Sequence, residues 1–159
     1  MKKQAGLFLI PLLLASLIST ESASGQNANP SSLHPLSLVL IKSTLTAVNH
    51  GNITGNYAVL RELGSPQFRQ QNKAADLAAT FAELRQQRLD LSPILVSDPQ
   101  LTRQPVQDAE GRLHLEGICP LAQLAVRFHL VYQTVPQGWL IDQISIQIVS
   151  QNDQAMARQ

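Results

Sequence analysis

The sequence predicts an α+β domain in which N-terminal helices pack on one face of a strongly curved antiparallel sheet. Apolar residues recur at three- and four-residue spacing in the first half of the chain. They alternate with polar residues in the second half, and in the last predicted strand the alternation changes phase. Helices followed by four or five strands are the element order of an α+β fold.

The first predicted element is a long amphipathic helix. Leu38, Ile41, Leu45 and Val48 form one apolar face at helical spacing. Gly51 suits the left-handed position that ends many helices. We therefore expect this helix to end at residues 50–52.

Three shorter helical segments follow. Thr54 is the expected N-cap of a helix over residues 57–63. Pro66 would open another helical turn, because its missing N–H costs nothing at the first helical position. Asn72 is the expected cap of a third helix, and Asp76 would stabilise its positive end.

The pattern changes to short strands after Leu89. Pro93 and Pro99 flank Ile94–Val96, which predicts an edge strand. Residues 102–107 and 112–118 predict a hairpin. A strand over residues 124–133 would then bury its even-numbered side chains, namely Leu124, Val126, Phe128, Leu130 and Tyr132.

The last strand carries the phase change. Trp139 and Ile141 are apolar at odd positions, whereas Ile144, Ile146 and Ile148 are apolar at even positions. One extra residue near Asp142 would return both sets to one face, so we predict a β-bulge there. The alternative is a strand whose first half is exposed to solvent on one side and whose second half is buried on both sides.

The opposite face of the sheet is expected to be polar. Its members are Gln123, Arg127, His129, Gln133, Ser145 and Gln147. This composition allows either a weak homodimer through the face or a monomer whose face is solvated.

The N-terminus predicts export. Lys2 and Lys3 precede an apolar run over residues 7–18, and small residues lie at 23–25. This is the pattern of a secretory signal peptide, which we expect to be cleaved after Gly25. The alternative, an uncleaved anchor, would need about 20 apolar residues. We expect a periplasmic or secreted protein with a flexible leader at 26–33, one domain at 34–150 and a disordered tail at 151–159.

Composition narrows the function classes. The chain has 12 basic and 11 acidic residues, and removal of Lys2, Lys3 and Glu21 with the signal leaves ten of each. A neutral domain has no electrostatic attraction to nucleic acid or to an anionic membrane. We therefore expect neither partner after signal cleavage.

The sequence predicts no cofactor and no metal site. Cys119 is the single cysteine, so no internal disulfide can form, and we expect it to be a buried apolar residue. The four histidines lack the spacing of a metal motif, and there is no phosphate loop or nucleophile elbow.

The segments NYAVLR at residues 56–61 and GSPQFR at 64–69, with the Gly138-Trp139-x-Ile141 strand, resemble exported bacterial proteins of the nuclear transport factor 2-like superfamily. The resemblance covers residues 34–149. It implies a cone-shaped fold, shared with ketosteroid isomerases and polyketide cyclases. It does not imply one function, because such folds carry many functions.

Six residues are candidates for lining the cavity of such a cone: Tyr57, Phe68, Phe81, Tyr132, Trp139 and Asp142. We favour a non-catalytic binding or interaction domain of the cell envelope, whose partner is a small apolar ligand or an envelope protein. The alternative is a small isomerase, cyclase or dehydratase that uses the cavity. The acid, tyrosine and protonated acid of ketosteroid isomerases find no match here, which disfavours that alternative.

Overall fold

The computed structural model describes residues 34–150, which form five helices, one 3₁₀ turn and a five-stranded antiparallel sheet. The helices are α1 (Pro35–Thr54), α2 (Ala58–Glu62), α3 (Pro66–Gln71), α4 (Ala74–Thr80) and α5 (Ala82–Gln86), followed by a 3₁₀ helix (Ser92–Leu95). The strands are β1 (Gln100–Leu101), β2 (Val106–Gln107), β3 (Leu113–Pro120), β4 (Leu124–Val135) and β5 (Gly138–Ser150). The predicted α+β class is therefore confirmed.

The sheet is built around two long hairpins. Its order is β1-β3-β4-β5, and β2 also pairs with β3. Since β1 and β2 are two residues each, the substantial strands are β3, β4 and β5. The strand β5 is consequently an edge strand along most of its length.

Helices and sheet share one hydrophobic core. Four of the five predicted even-numbered side chains of β4 are buried, with Val126, Phe128, Leu130 and Tyr132 all at most 1% exposed. The fifth, Leu124, is only half-buried. Ile41, Leu45 and Val48 of α1 are fully buried in the same core. The predicted outer face is exposed at its six polar positions, while Ala125 and Val131 on the same side of β4 are buried.

The predicted end of the first helix is wrong. The helix α1 continues to Thr54, and Gly55 takes the left-handed cap position with φ of 71°. Gly51 is buried inside the helix, where a Cβ atom would lie 2.5 Å from Cδ1 of Tyr57. Gly51 is therefore required for close packing against Tyr57 and not for a turn.

Two predicted helix caps are also wrong. Thr54 ends α1 by donating its hydroxyl to the carbonyl of His50, while Asn56 accepts the first N–H of α2. Asn72 does not begin α4 but ends α3, where its side-chain amide donates to the carbonyl of Phe68. In the first turn of α4, Asp76 accepts the N–H of Lys73 at 2.9 Å. The role predicted for Asp76 at a helix start is therefore confirmed.

The short strand predicted at Ile94–Val96 is replaced by the 3₁₀ helix. Pro93 lies in its first turn, where its fixed φ favours helical backbone. Asp90 supports the turn by accepting the N–H of Ser92. The predicted hairpin around residues 108–111 is present, but only Val106–Gln107 (β2) of its predicted first arm, residues 102–107, forms a strand. The other short strand, β1, lies just before that arm and pairs with the far end of β3.

The predicted β-bulge is confirmed. Val131 lies opposite Gln143, whereas the next residue of β4, Tyr132, lies opposite Ile141. Asp142 is thus the extra residue. Pairing is regular on both sides of it, and the side chains of Ile141 and of Ile144 return to one face.

The N-terminal 33 residues and residues 151–159 lie outside the described part, so the predicted signal peptide, leader and tail remain predictions. Within residues 34–150, no helix is long and apolar enough to cross a membrane.

Candidate functional site

The aromatic candidates lie in the core. Tyr57, Phe68, Phe81 and Tyr132 are all at most 4% exposed. Trp139 is half-buried and packs against the same cluster. The structure thus brings these five side chains to one side of the sheet, where they contribute to the core.

The hydroxyl of Tyr132 links the sheet to α1. It lies 2.8 Å from Oγ1 of Thr44 and donates to the carbonyl oxygen of Leu40 at 2.9 Å. Burial raises the pKa of Tyr132, an effect that the hydrogen bond with Thr44 opposes. A neutral tyrosine held in this way anchors α1 on the sheet.

The hydroxyl of Tyr57 makes a second buried hydrogen bond to α1. It donates to Oδ1 of Asn52, and its ring stacks on Phe81 with centroids 5.6 Å apart. Burial raises the pKa of Tyr57. Nδ2 of Asn52 is buried without a hydrogen-bond partner.

Asp142 connects the bulge to two other parts of the fold. Its Oδ1 accepts from the hydroxyl of Ser65 at 2.8 Å, and its Oδ2 lies 3.5 Å from Nη1 of Arg112. The side chain of Asp142 is only 7% exposed. Ser65 also accepts the N–H of Phe68 and so caps α3. Both oxygens of Asp142 are therefore committed to structural contacts.

A polar chain on the outer face was missed by sequence reasoning. Nε2 of His114 lies 2.9 Å from Oδ2 of Asp108, and Nδ1 of His114 lies 3.4 Å from Nε2 of His129. The hydrogen bond from His114, followed by those from Arg112, lowers the pKa of Asp108 well below its ordinary value. The signal in the sequence was the alternation, which places His114 and His129 on the same face of adjacent strands.

This polar chain ties a turn to two neighbouring strands. Its bonds join the 108–111 turn to β3 and β4, and Arg112 closes it by contacting Asp108, Glu110 and Asp142. Among residues 34–150, no three His, Cys, Asp or Glu side chains are arranged to hold a metal ion. Cys119 is fully buried, and burial raises the pKa of its thiol.

A groove of about 560 Å³ lies between α4, α5 and the second half of β5. Ile144, Ile146 and Ile148 form an apolar wall together with Phe81 and Leu84. Thr80, Glu83 and Gln87 add polar groups from the helices. Phe81 is the one residue of the six candidates that lines this groove.

Within the described part of the chain, the same stretch of β5, from Gln143 to Val149, lies at the edge of the sheet. On the side away from β4, Ile141 donates its N–H to the carbonyl of Leu63 at 2.9 Å and accepts the N–H of Ser65 at 2.7 Å. Within residues 34–150, the backbone hydrogen bonds on this side of β5 end there. Among the described residues, β4 is the one strand that pairs with β5 from Gln143 to Val149.

The register identifies the free backbone groups. Because both backbone groups of Ile141 point away from β4, its pairing with Tyr132 is one in which no bonds are exchanged. Such pairs alternate with bonded pairs along an antiparallel ladder. Two-residue steps along β4 from Tyr132 reach the partners of Ile144, Ile146 and Ile148. These three isoleucines therefore direct their N–H and C=O groups toward the open edge.

The free edge lacks the features that usually protect edge strands. Natural edges are blocked by charged residues, proline or bulges. The bulge at Asp142 precedes the free stretch, and residues 143–150 contain neither a charged residue nor proline. Outward-facing backbone groups of Ile144, Ile146 and Ile148, an apolar groove and the absence of charge thus coincide on one stretch of β5.

Comparison of the chain with protein-family models, with curated proteins and with solved structures finds no match.

Proposed function

We propose that this chain is an exported, non-catalytic interaction domain of the bacterial cell envelope, and that it binds an extended polypeptide segment along the free edge of β5. Export follows from the N-terminal signal pattern. A cone-shaped fold of the nuclear transport factor 2-like superfamily is part of the same proposal and is supported by the helix-then-sheet order and by the bulge.

The observation that carries the proposal is the orientation of Ile144, Ile146 and Ile148. Their free N–H and C=O groups can pair with an added strand, and their side chains form the wall of the adjoining groove. In strand addition, backbone hydrogen bonds supply affinity and pockets for alternate side chains supply selectivity. The preferred ligand is an extended segment with apolar residues at every second position.

The hydrogen bonds that the polar candidates make within the fold favour a binding role over an enzymatic one. The carboxylate of Asp142 is held by Ser65 and Arg112, and the hydroxyl of Tyr132 is held by Leu40 and Thr44. A catalytic acid or base has to reach a proton on its substrate. These side chains instead satisfy groups of the fold itself.

A peptide titration tests the proposal. The probe is a fluorescent seven-residue peptide of alternating valine and threonine, which is unrelated to the chain. The test variant is Ile146→Pro, because proline removes an edge N–H that is not bonded to β4. The matched control is Ile146→Ala, which removes the same apolar side chain and keeps the N–H.

We expect Ile146→Pro to weaken peptide binding at least tenfold relative to Ile146→Ala, with both variants folded by circular dichroism. Equal affinities of these two variants would refute strand addition. If the proline variant does not fold, amide exchange of the unaltered protein decides: the peptide must slow exchange at Ile144, Ile146 and Ile148, and a lack of slowing refutes the proposal.

A further inference from the structure

We infer that the partner at this edge is a second copy of the same chain, paired through β5 about a two-fold axis at Ile146. This inference rests on the proposed function, because it names the occupant of the same site. It differs from a dimer through the outer sheet face.

The register of the free groups is self-complementary. In an antiparallel pair centred on Ile146, this residue faces Ile146 of the second copy, and Ile144 faces Ile148. All of these residues direct their N–H and C=O groups toward the edge. Each bonded pair exchanges two hydrogen bonds. Every free group of the three isoleucines therefore finds a partner at once.

The side chains follow the same symmetry. Ile144, Ile146 and Ile148 point to the core face of β5, so the same face of both copies becomes continuous. Ser145 and Gln147 lie on the outer face, where each would neighbour the other residue in the second copy. Because residues 143–150 carry no charge, no like charges oppose one another along the pairing strands.

The size of the contact indicates a weak dimer. A seven-residue edge is about 24 Å long at a rise of about 3.4 Å per residue. A pair of such edges buries less than the roughly 1,600 Å² of a standard protein interface. Association is therefore concentration-dependent and reversible.

The chain's own C-terminal residues are a poorer occupant. Residues 151–159 read QNDQAMARQ, with Met156 as the one large apolar side chain and no β-branched residue. They offer no alternating apolar row to match the three isoleucines. A second β5 strand offers that row by symmetry.

Cysteine cross-linking tests the register. In a Cys119→Ala background, Ile146→Cys places two thiols at the two-fold axis with Cα atoms about 5.5 Å apart, within the range of a disulfide. The matched control is Ile144→Cys. Its two copies would be separated by four residues along the strands, or about 13 Å, which is too far for a disulfide.

We expect Ile146→Cys to form a disulfide-linked dimer under oxidised glutathione and Ile144→Cys to form no disulfide-linked dimer with itself. A mixture of Ile144→Cys and Ile148→Cys proteins should cross-link as a mixed dimer. Equal cross-linking of the Ile144 and Ile146 variants, or none in either at several hundred micromolar protein, would overturn the inference.

The peptide titration separates this inference from the proposed function. Peptide binding without cross-linking at Ile146 means that the edge accepts strands but not a second copy, and this inference is then wrong. Failure of both experiments removes the proposed function as well. If removal of residues 151–159 raises peptide affinity tenfold, the chain's own tail occupies the edge and the second copy is again excluded.

Discussion

At the scale of single residues, the polar side chains of this protein mostly serve the fold. Asp108 joins His114 and Arg112 in one cluster. Asp142 joins Ser65 and Arg112. Gly51 provides space for an aromatic ring. Each of these roles makes a separate prediction about stability.

Asp108 should contribute to the loss of stability in acid. Its pKa is lowered in the folded state by the hydrogen bond from His114 and by Arg112, so the folded protein holds this carboxyl ionised more strongly than the unfolded chain does. The stabilisation is complete above the unfolded pKa of about 3.9 and is lost as pH falls below it. Asp108→Asn should flatten the decline of unfolding free energy below about pH 4.

Urea unfolding at a series of pH values measures this effect. Asp98→Asn, at an exposed position, is the control and should leave the slope nearly unchanged. If the unfolding free energy of Asp108→Asn falls as steeply with pH as that of the unaltered protein, the contacts with His114 and Arg112 do not stabilise the ionised carboxylate in solution.

Gly51→Ala should destabilise the protein although alanine favours helices. The added Cβ would lie 2.5 Å from Cδ1 of Tyr57, and the ring cannot move freely because it stacks on Phe81. Overpacking of this kind costs about 1–3 kcal/mol. Ile53→Ala, at a position of α1 that is 64% exposed, should cost no more than about 0.5 kcal/mol. Thermal and urea unfolding measure both, and a neutral Gly51→Ala would contradict the packing.

At the scale of elements, the amphipathic patterns were sufficient to predict the main helices and strands. The capping residues near each end were not sufficient to predict where these elements begin and end. The even-numbered core face of β4 and the bulge at Asp142 follow from periodicity alone. The end of α1 does not, because the reason for Gly51 is Tyr57, a tertiary contact. Pro93 was compatible with an edge strand and with a helical first turn, and only the contacts around residues 90–95 distinguish them.

The candidate site was predictable only in part. Alternation indicated where the isoleucines of β5 would point, but not that this strand would lie at the edge of the sheet. That property depends on strand order, which a single sequence does not specify. The contacts of Asp142 with Ser65 and Arg112 likewise join residues that are remote in sequence.

The bulge should depend on both oxygens of Asp142. Asp142→Ala leaves the hydroxyl of Ser65 and one contact of Arg112 without this partner, and an unsatisfied buried group costs about 1–3 kcal/mol. Asp142→Asn retains an acceptor for Ser65 and should cost less. The free energies of unfolding in urea provide the comparison. If the two variants are equally stable, the hydrogen bond with Ser65 does not hold the bulge.

At the scale of the whole molecule, the proposed export of the chain makes a prediction of its own. Mass spectrometry of the protein recovered from the cell envelope should show Gln26 as the first residue, since the charged, apolar and small-residue segments occur in signal order. A membrane-bound form that retains residues 7–18 would contradict cleavage.

The most direct test of the central claim is amide hydrogen exchange along β5 by NMR at several protein concentrations. At high dilution, Ile144, Ile146 and Ile148 should exchange rapidly while Ser145 and Gln147, which are bonded to β4, exchange slowly. At high concentration the three isoleucines should become protected as a second strand pairs with them. Protection of all five amides at every dilution, or exposed isoleucine amides at every concentration, would contradict the account.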